Sequence, residues 1–298
     1  MSQANRHVRT AVFPIAGLGT RLLPATKAVP KELLPILDTP LLDYAIDEAR
    51  AAGIEKFVFV TAPGKDAIAK HVGANPELIR TLHACGKSAI ADSTQACELD
   101  RDAVHFVRQE RALGLGHAIG CARALVAEEP FAVILPDDLV LSIRPCIAQV
   151  MDAYAQSGGN VAAVMSVPRA HTERYGILDI AQQRGRLVRA RGLVEKPTPE
   201  RAPSTLAIIG RYVLEPTIFE ELEHGRRGAG GEIQITDAIA ARIAREGFHG
   251  VCFEGVRFDC GSKEGLLQAT IACAMADPDL APYVRDLLLE APPIAAAS

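Results

Sequence analysis

Short apolar runs alternate along the chain with stretches in which apolar residues recur every three to four positions. The first pattern buries a strand and the second buries one face of a helix, so their alternation predicts β-α-β units and a largely parallel α/β sheet. Strands are expected at 10–16, 56–61, 104–107, 131–135, 161–167, 177–180, 187–194, 206–212 and 251–253. Helices are expected at 117–127, 143–156, 217–222, 236–246, 263–276 and 282–290. A further helix is expected from Thr39 as N-cap and Pro40 at the first helical position, closing at Gly53. No fixed-period repeat or Ser/Gly linker interrupts the order. Dense strand signal with Gly-rich turns near 160–215 marks a subregion packed onto the first half.

Composition narrows the function classes. Apolar residues at 49% and charged residues at 23% of 298 describe an ordinary globular protein, which excludes fibrous and disordered classes. A formal net charge of −4 with scattered lysines and arginines argues against nucleic acid as a partner. No run approaches the roughly 20 apolar residues that cross a bilayer, so no membrane association is expected. The apolar stretch 11–19 contains Pro14 and lacks a small-residue cleavage site, so it does not read as a signal peptide. Seven cysteines without a Cys-x-x-Cys pair fit free thiols in a reducing compartment, hence a cytoplasmic protein. Cys121 and Cys260 read as packing residues rather than nucleophiles.

The strongest chemical signal is Ala16-Gly17-Leu18-Gly19-Thr20-Arg21, a glycine loop directly after a strand. Glycines let backbone N–H groups approach an anion, and the arginine adds a fork of donors for phosphate oxygens. Leu22 replaces the third glycine of a dinucleotide fingerprint, and no Gly-Lys-Ser/Thr closes a P-loop. Lys27 and Lys31 follow, with Pro30 and Pro35 stiffening the backbone around Lys31. Asp137 and Asp138 sit at the carboxyl end of a buried strand, where ligand crevices open, and alternation directs one of the two toward a ligand. Asp259 precedes a helix in a similar place, and on the residues alone helix entry is the favoured explanation for it. Glu195-Lys196 pairs an acceptor for sugar hydroxyls with a cation for phosphate. His117 is read as a helix-start residue.

These motifs, with Gln109-Glu110, Gly114-Leu115-Gly116-His117, Tyr175-Gly176, Gly230-Gly231-Glu232 through Asp237 and Phe258-Asp259-Cys260-Gly261, occur in the order found in sugar-1-phosphate nucleotidylyltransferases. The chain resembles that family over most of its length, and its UTP–glucose branch most of all. The resemblance implies a Rossmann-like, mixed but mostly parallel sheet flanked by helices, the nucleotide-diphospho-sugar transferase fold. It implies one domain over 1–298, with a nucleotide-binding half at 1–160 and a sugar-binding, metal-completing half at 161–298. Arg21 and Lys31 are then catalytic; Ala16, Gly17, Leu18, Gly19, Thr20, Glu32, Gln109, Gly114 and Asp137 bind nucleotide. Gly176, Glu195 and Lys196 bind the sugar phosphate, and Asp137 and Asp259 hold Mg²⁺. The implied partners are UTP and glucose 1-phosphate, in a homodimer or homotetramer. Leu287-Leu288-Leu289 suits a partner subunit or a core-packing helix equally. The competing classes are a sister enzyme using dTTP or another sugar phosphate, a dinucleotide-dependent oxidoreductase, and a non-catalytic nucleotide-sugar binder.

Overall fold

A computed structural model describes residues 7–126 and 128–290. Its strands, in chain order, are β1 (Thr10–Pro14), β2 (Pro35–Ile36), β3 (Thr39–Pro40), β4 (Lys56–Thr61), β5 (Val104–Arg108), β6 (Phe131–Ile134), β7 (Asp138–Leu141), β8 (Asn160–Ser166), β9 (Gly176–Arg184), β10 (Leu187–Glu195), β11 (Leu206–Leu214), β12 (Phe248–Cys252) and β13 (Val256–Asp259). Nine of them form one sheet in the order β5-β4-β1-β6-β11-β8-β12-β10-β9. By pairing sense only β10 and β11 oppose the rest, so the sheet is mixed, with seven of its nine strands running one way.

Both faces of the sheet are covered, which is why its strands read as continuous apolar runs. On β1, Ala11 and Phe13 join a core with Phe59, Ile46 and Tyr154, while Val12 joins the opposite core with Phe131, Phe219 and Ile239. Helix Leu41–Ala51 is locked to the sheet by a buried ion pair. Arg211 donates from Nη2 to Glu48 Oε2 at 2.8 Å and from Nη1 to the Leu135 carbonyl at 2.9 Å. The Leu135 carbonyl lies just past the end of β6, so this pair also fixes the segment that carries Asp137.

Several boundaries differ from the expectations, each for a local reason. Thr39 does not cap a helix: Thr39 and Pro40 pair with β2 instead, and the Leu41 amide bonds the Leu34 carbonyl at 3.1 Å. Pro40 keeps an extended ψ of 145°, so the helix starts one residue later. Gly53, at φ 86°, does end it. Helices Asp66–Val72, Pro76–Ala84 and Ser88–Ala96 were not expected. The last two bury only Ala91 between them, so their apolar residues mark no core-facing side. The expected helix 117–127 is two pieces, Leu115–Cys121 and Arg123–Val126, and Ala127 lies outside the described residues. The helix expected at 143–156 begins at Cys146, because Pro145 holds an extended ψ of 134°. Leu287, Leu288 and Leu289 on helix Ala281–Glu290 are exposed, which overturns the core-packing alternative for them.

Candidate active site

The segment after β1 is bent by three single 3₁₀ turns, Thr20–Leu22, Ala25–Lys27 and Lys31–Leu33. Gly19 takes the left-handed φ of 66°, and a Cβ there would stand 3.2 Å from both Lys31 Cβ and Thr26 Cγ2. The Thr26 hydroxyl donates to the Gly19 carbonyl at 2.8 Å. The loop therefore folds back on Lys31, whose Nζ lies 3.9 Å from a Cβ position at Gly17. Ala16 is buried at the root of this loop, while Gly17, Leu18 and Thr20 are exposed along it. Lys27 is exposed on the same segment.

Lys31 forms an ion pair with Asp137, just past β6. Burial opposes charge on both, but each offsets this for the other: the Lys31 pKa lies above its ordinary value and the Asp137 pKa below. Arg21 Nη1 meets Asp259 Oδ2 at 3.3 Å across the mouth. Gly261 shows how closely these groups converge. A Cβ there would lie 2.6 Å from Arg21 Nη2, 2.8 Å from Asp137 Oδ2 and 3.1 Å from Asp259 Oδ1. The register explains the meeting: β13 pairs Asp259 with Asp138 on β7, and the Cys260 amide bonds the Asp137 carbonyl at 2.8 Å.

Asp137 and Asp138 point apart, as alternation requires. Asp138 faces inward, where Oδ2 accepts from the Gly210 amide at 2.7 Å and Oδ1 from Arg257 Nε at 2.6 Å. Glu32 is also sealed in. Its Oε2 accepts from Lys65 Nζ at 2.8 Å, its Oε1 is buried without a hydrogen-bond partner, and burial outweighs the neighbouring lysines to push its carboxyl pKa up. Glu32 thus backs Lys31 from behind rather than facing the open loop.

Gly176, at the start of β9, pairs with Glu195 at the end of β10. A Cβ on Gly176 would press within 2.9 Å of Thr236 Oγ1 and 3.2 Å of Glu195 Oε2, so the bare backbone lets these groups approach. Lys196 follows with a left-handed φ of 48°, unusual for a residue with a side chain. The extra pairing of Ile177 with Ala207 returns this corner to the sheet end where β11 begins, close to the ends of β6 and β8. At the other side of that end, the Gln109 amide nitrogen donates to the Gly114 carbonyl at 3.1 Å and meets His117 Nδ1 at 2.8 Å. His117 is therefore more than a helix-start residue. Gly114, at φ 102°, and Gly116 pack against Glu232 and Ile233, which tie the two loops together.

Three further residues join this machinery. Arg257 was visible in principle, since it lies two positions before Asp259 and so on the same face of a strand. Lys65 follows the carboxyl end of β4, a place where crevices open. Thr236 touches Gly176 only through tertiary folding.

The nucleotidyl transferase family model matches residues 15–275, which span the glycine loop, both aspartates and the Gly176 corner. The chain belongs to that family. A UTP–glucose-1-phosphate uridylyltransferase of Komagataeibacter xylinus is 49% identical over 86% of this chain and 90% of its own length. The enzyme of that name from Bacillus subtilis is 45% identical over 95% of this chain and 98% of its own. Among solved structures, a UTP-bound UGPase from Acinetobacter baumannii superposes with a TM-score of 0.87 at 37% identity, covering 96% of this chain and 100% of that one. Family membership removes the dinucleotide-dependent oxidoreductase from the competing classes. No helix among the described residues is long and apolar enough to cross a membrane.

Proposed function

We propose that this chain is a UTP–glucose-1-phosphate uridylyltransferase: it transfers the uridylyl group of UTP to glucose 1-phosphate and releases pyrophosphate. The observation that carries this reading is the convergence of Arg21, Asp137 and Asp259 on the side-chain-free face of Gly261, with Lys31 paired to Asp137 beside the glycine loop. The names and lengths of its relatives support the substrates.

The reaction joins two anions. An oxygen of the sugar phosphate attacks the α-phosphorus of UTP in line, its new P–O bond forms as the bond to the leaving pyrophosphate breaks, and no covalent enzyme intermediate is needed. Catalysis is then charge neutralisation and positioning. The amides of Gly17, Leu18, Gly19 and Thr20, with Arg21, hold the triphosphate. Lys31 places its ammonium at the reacting phosphates. Gln109 and Gly114 read the uracil edge. Gly176, Glu195 and Lys196 hold glucose and its phosphate.

Asp137 and Asp259 present hard carboxylate oxygens around the cradle that a Cβ on Gly261 would fill, a donor set that fits Mg²⁺ with phosphate oxygens completing its shell. When bound there, Mg²⁺ would supply positive charge to the phosphates. Lys31 and Arg21 meanwhile compensate these carboxylates from the protein side.

In this reading 1–298 is a single domain, with nucleotide held by 1–160 and sugar phosphate and second carboxylate by 161–298. Free cysteines at all seven positions support a cytoplasmic setting. The exposed leucines of helix Ala281–Glu290 support a homodimer or homotetramer.

The reverse reaction is the test. Incubated with UDP-glucose, pyrophosphate and Mg²⁺, the protein should form UTP and glucose 1-phosphate. Binding of UDP-glucose without UTP formation would overturn the enzymatic reading in favour of a nucleotide-sugar binder.

A further inference from the structure

We propose that Arg257 and Tyr175 form a positioning relay that sets Lys196 against the sugar phosphate, tied to the strand pair that carries the two metal-site carboxylates. The relay rests on the uridylyltransferase reading above. Arg257 lies on β13, two residues before Asp259, and its guanidinium grips Asp138 through Nε and Nη2. Asp138 is fixed in turn by the Gly210 amide and is the chain neighbour of Asp137. From this anchored position Arg257 Nη1 donates to the Tyr175 hydroxyl at 3.0 Å, and its guanidinium lies 5.5 Å from the centre of the Tyr175 ring.

Tyr175 holds the sugar corner at its backbone. Its carbonyl accepts from the Lys196 amide at 2.9 Å, and Lys196 is the residue kept at φ 48°. A left-handed lysine persists only where its surroundings over-determine it. Here the determinant is the Tyr175 carbonyl on one side and the Gly176–Glu195 pairing on the other. A charged fork on a buried carboxylate is a stiff mount, because desolvation penalises any geometry that leaves either charge unpaired. Arg257 and Asp138 are both nearly buried, at 10% and 11% side-chain exposure. The two halves of the site therefore share one rigid strut, and Lys196 inherits its position from the carboxylate ladder rather than from its own loop. Neither Arg257 nor the Tyr175 hydroxyl need touch substrate for this.

The test compares Tyr175→Phe, which keeps the ring and removes the hydroxyl, with Arg257→Lys, which keeps the charge and loses the fork. Each should raise KM for glucose 1-phosphate, by about three- to tenfold for Tyr175→Phe and more for Arg257→Lys, with KM for UTP held within about twofold. Calorimetric affinity for UDP-glucose without metal should fall in parallel, and affinity for UTP should not. Arg257→Lys risks the fold by weakening a buried pair, so Tyr175→Phe decides if it does not fold. Equal shifts in both KM values, or none in either, would overturn the relay. Wild-type protein that makes no UDP-glucose would instead overturn the function on which it rests.

Discussion

Arg21 and Asp259 meet at 3.3 Å although 238 residues separate them in the chain. One belongs to the glycine loop after the first strand and the other ends the last, so their contact closes the site between its first and last elements. Mg²⁺ and triphosphate binding would compete for both partners. The pair is thus a resting arrangement, loosely held at the solvent-facing mouth, where an exposed ion pair contributes little to stability.

Lys31 is the cation closest to the chemistry. Lys31→Ala is expected to fold with a lowered melting temperature, because Asp137 loses the cation that offsets its burial, and to lower kcat by about 10²–10³-fold, the scale for removing one preorganised charge from a reacting centre. Pyrophosphate release and a circular-dichroism melt check this together. Near-normal turnover would remove Lys31 from the catalytic role.

Two glycines only four residues apart should respond in opposite ways. At Gly261 a Cβ would meet the movable ends of Arg21, Asp137 and Asp259, so Gly261→Ala should keep its melting temperature within a few degrees and lose activity. At Gly265 the same atom would stand 1.9 Å from the Asp259 backbone carbonyl, so Gly265→Ala must shift main chain and should lower the melting temperature clearly. Thermal melts and initial rates on both variants distinguish a site effect from a packing effect.

Gly114→Ala tests the base-reading loop. The left-handed φ of 102° and a contact of 2.7 Å to Glu232 Cβ leave no room for a methyl group. KM for UTP should rise about tenfold or more while KM for glucose 1-phosphate stays near wild type, the mirror image of the Tyr175→Phe result. A shift confined to glucose 1-phosphate would mean that this loop does not face the nucleotide.

Stability should also depend on pH through His71. Its Nε2 meets Asp43 Oδ1 at 2.7 Å, and that hydrogen bond outweighs burial to raise the imidazole pKa above its ordinary 6.5. A folded-state value above the unfolded one stabilises fully below 6.5 and loses that contribution as pH rises through the raised value. The melting-temperature gap between wild type and His71→Gln should therefore be widest below pH 6.5 and narrow as pH rises through the raised value. A constant gap would show that the imidazolium is not what Asp43 stabilises.

The glycine loop and Lys31 were legible in the sequence because their chemistry is local: the nineteen residues 17–35 contain the turn, the donors and the prolines that hold them. Alternation also foretold that Asp137 and Asp138 would part. It did not foretell the partner of Asp138, because the Arg257 fork arrives through the β7–β13 register, a pairing between segments more than a hundred residues apart. Glu32 was placed with the nucleotide on resemblance, yet its burial against Lys65 depends on how β4 lies beside β1, which no local pattern encodes. Helices Pro76–Ala84 and Ser88–Ala96 are a different case: Leu78, Ile79 and Leu82 do recur at helical spacing, but the two helices bury only Ala91 and so contribute almost nothing to the core.

Pyrophosphate release decides the central question most directly. The protein is supplied with Mg²⁺ and glucose 1-phosphate and with UTP, dTTP, CTP, ATP or GTP in parallel, and the sugar phosphate is omitted as a control. Release that requires both UTP and glucose 1-phosphate is the predicted result. Release with dTTP alone would keep the in-line displacement but contradict the substrate, and no release with any nucleotide would contradict the enzyme.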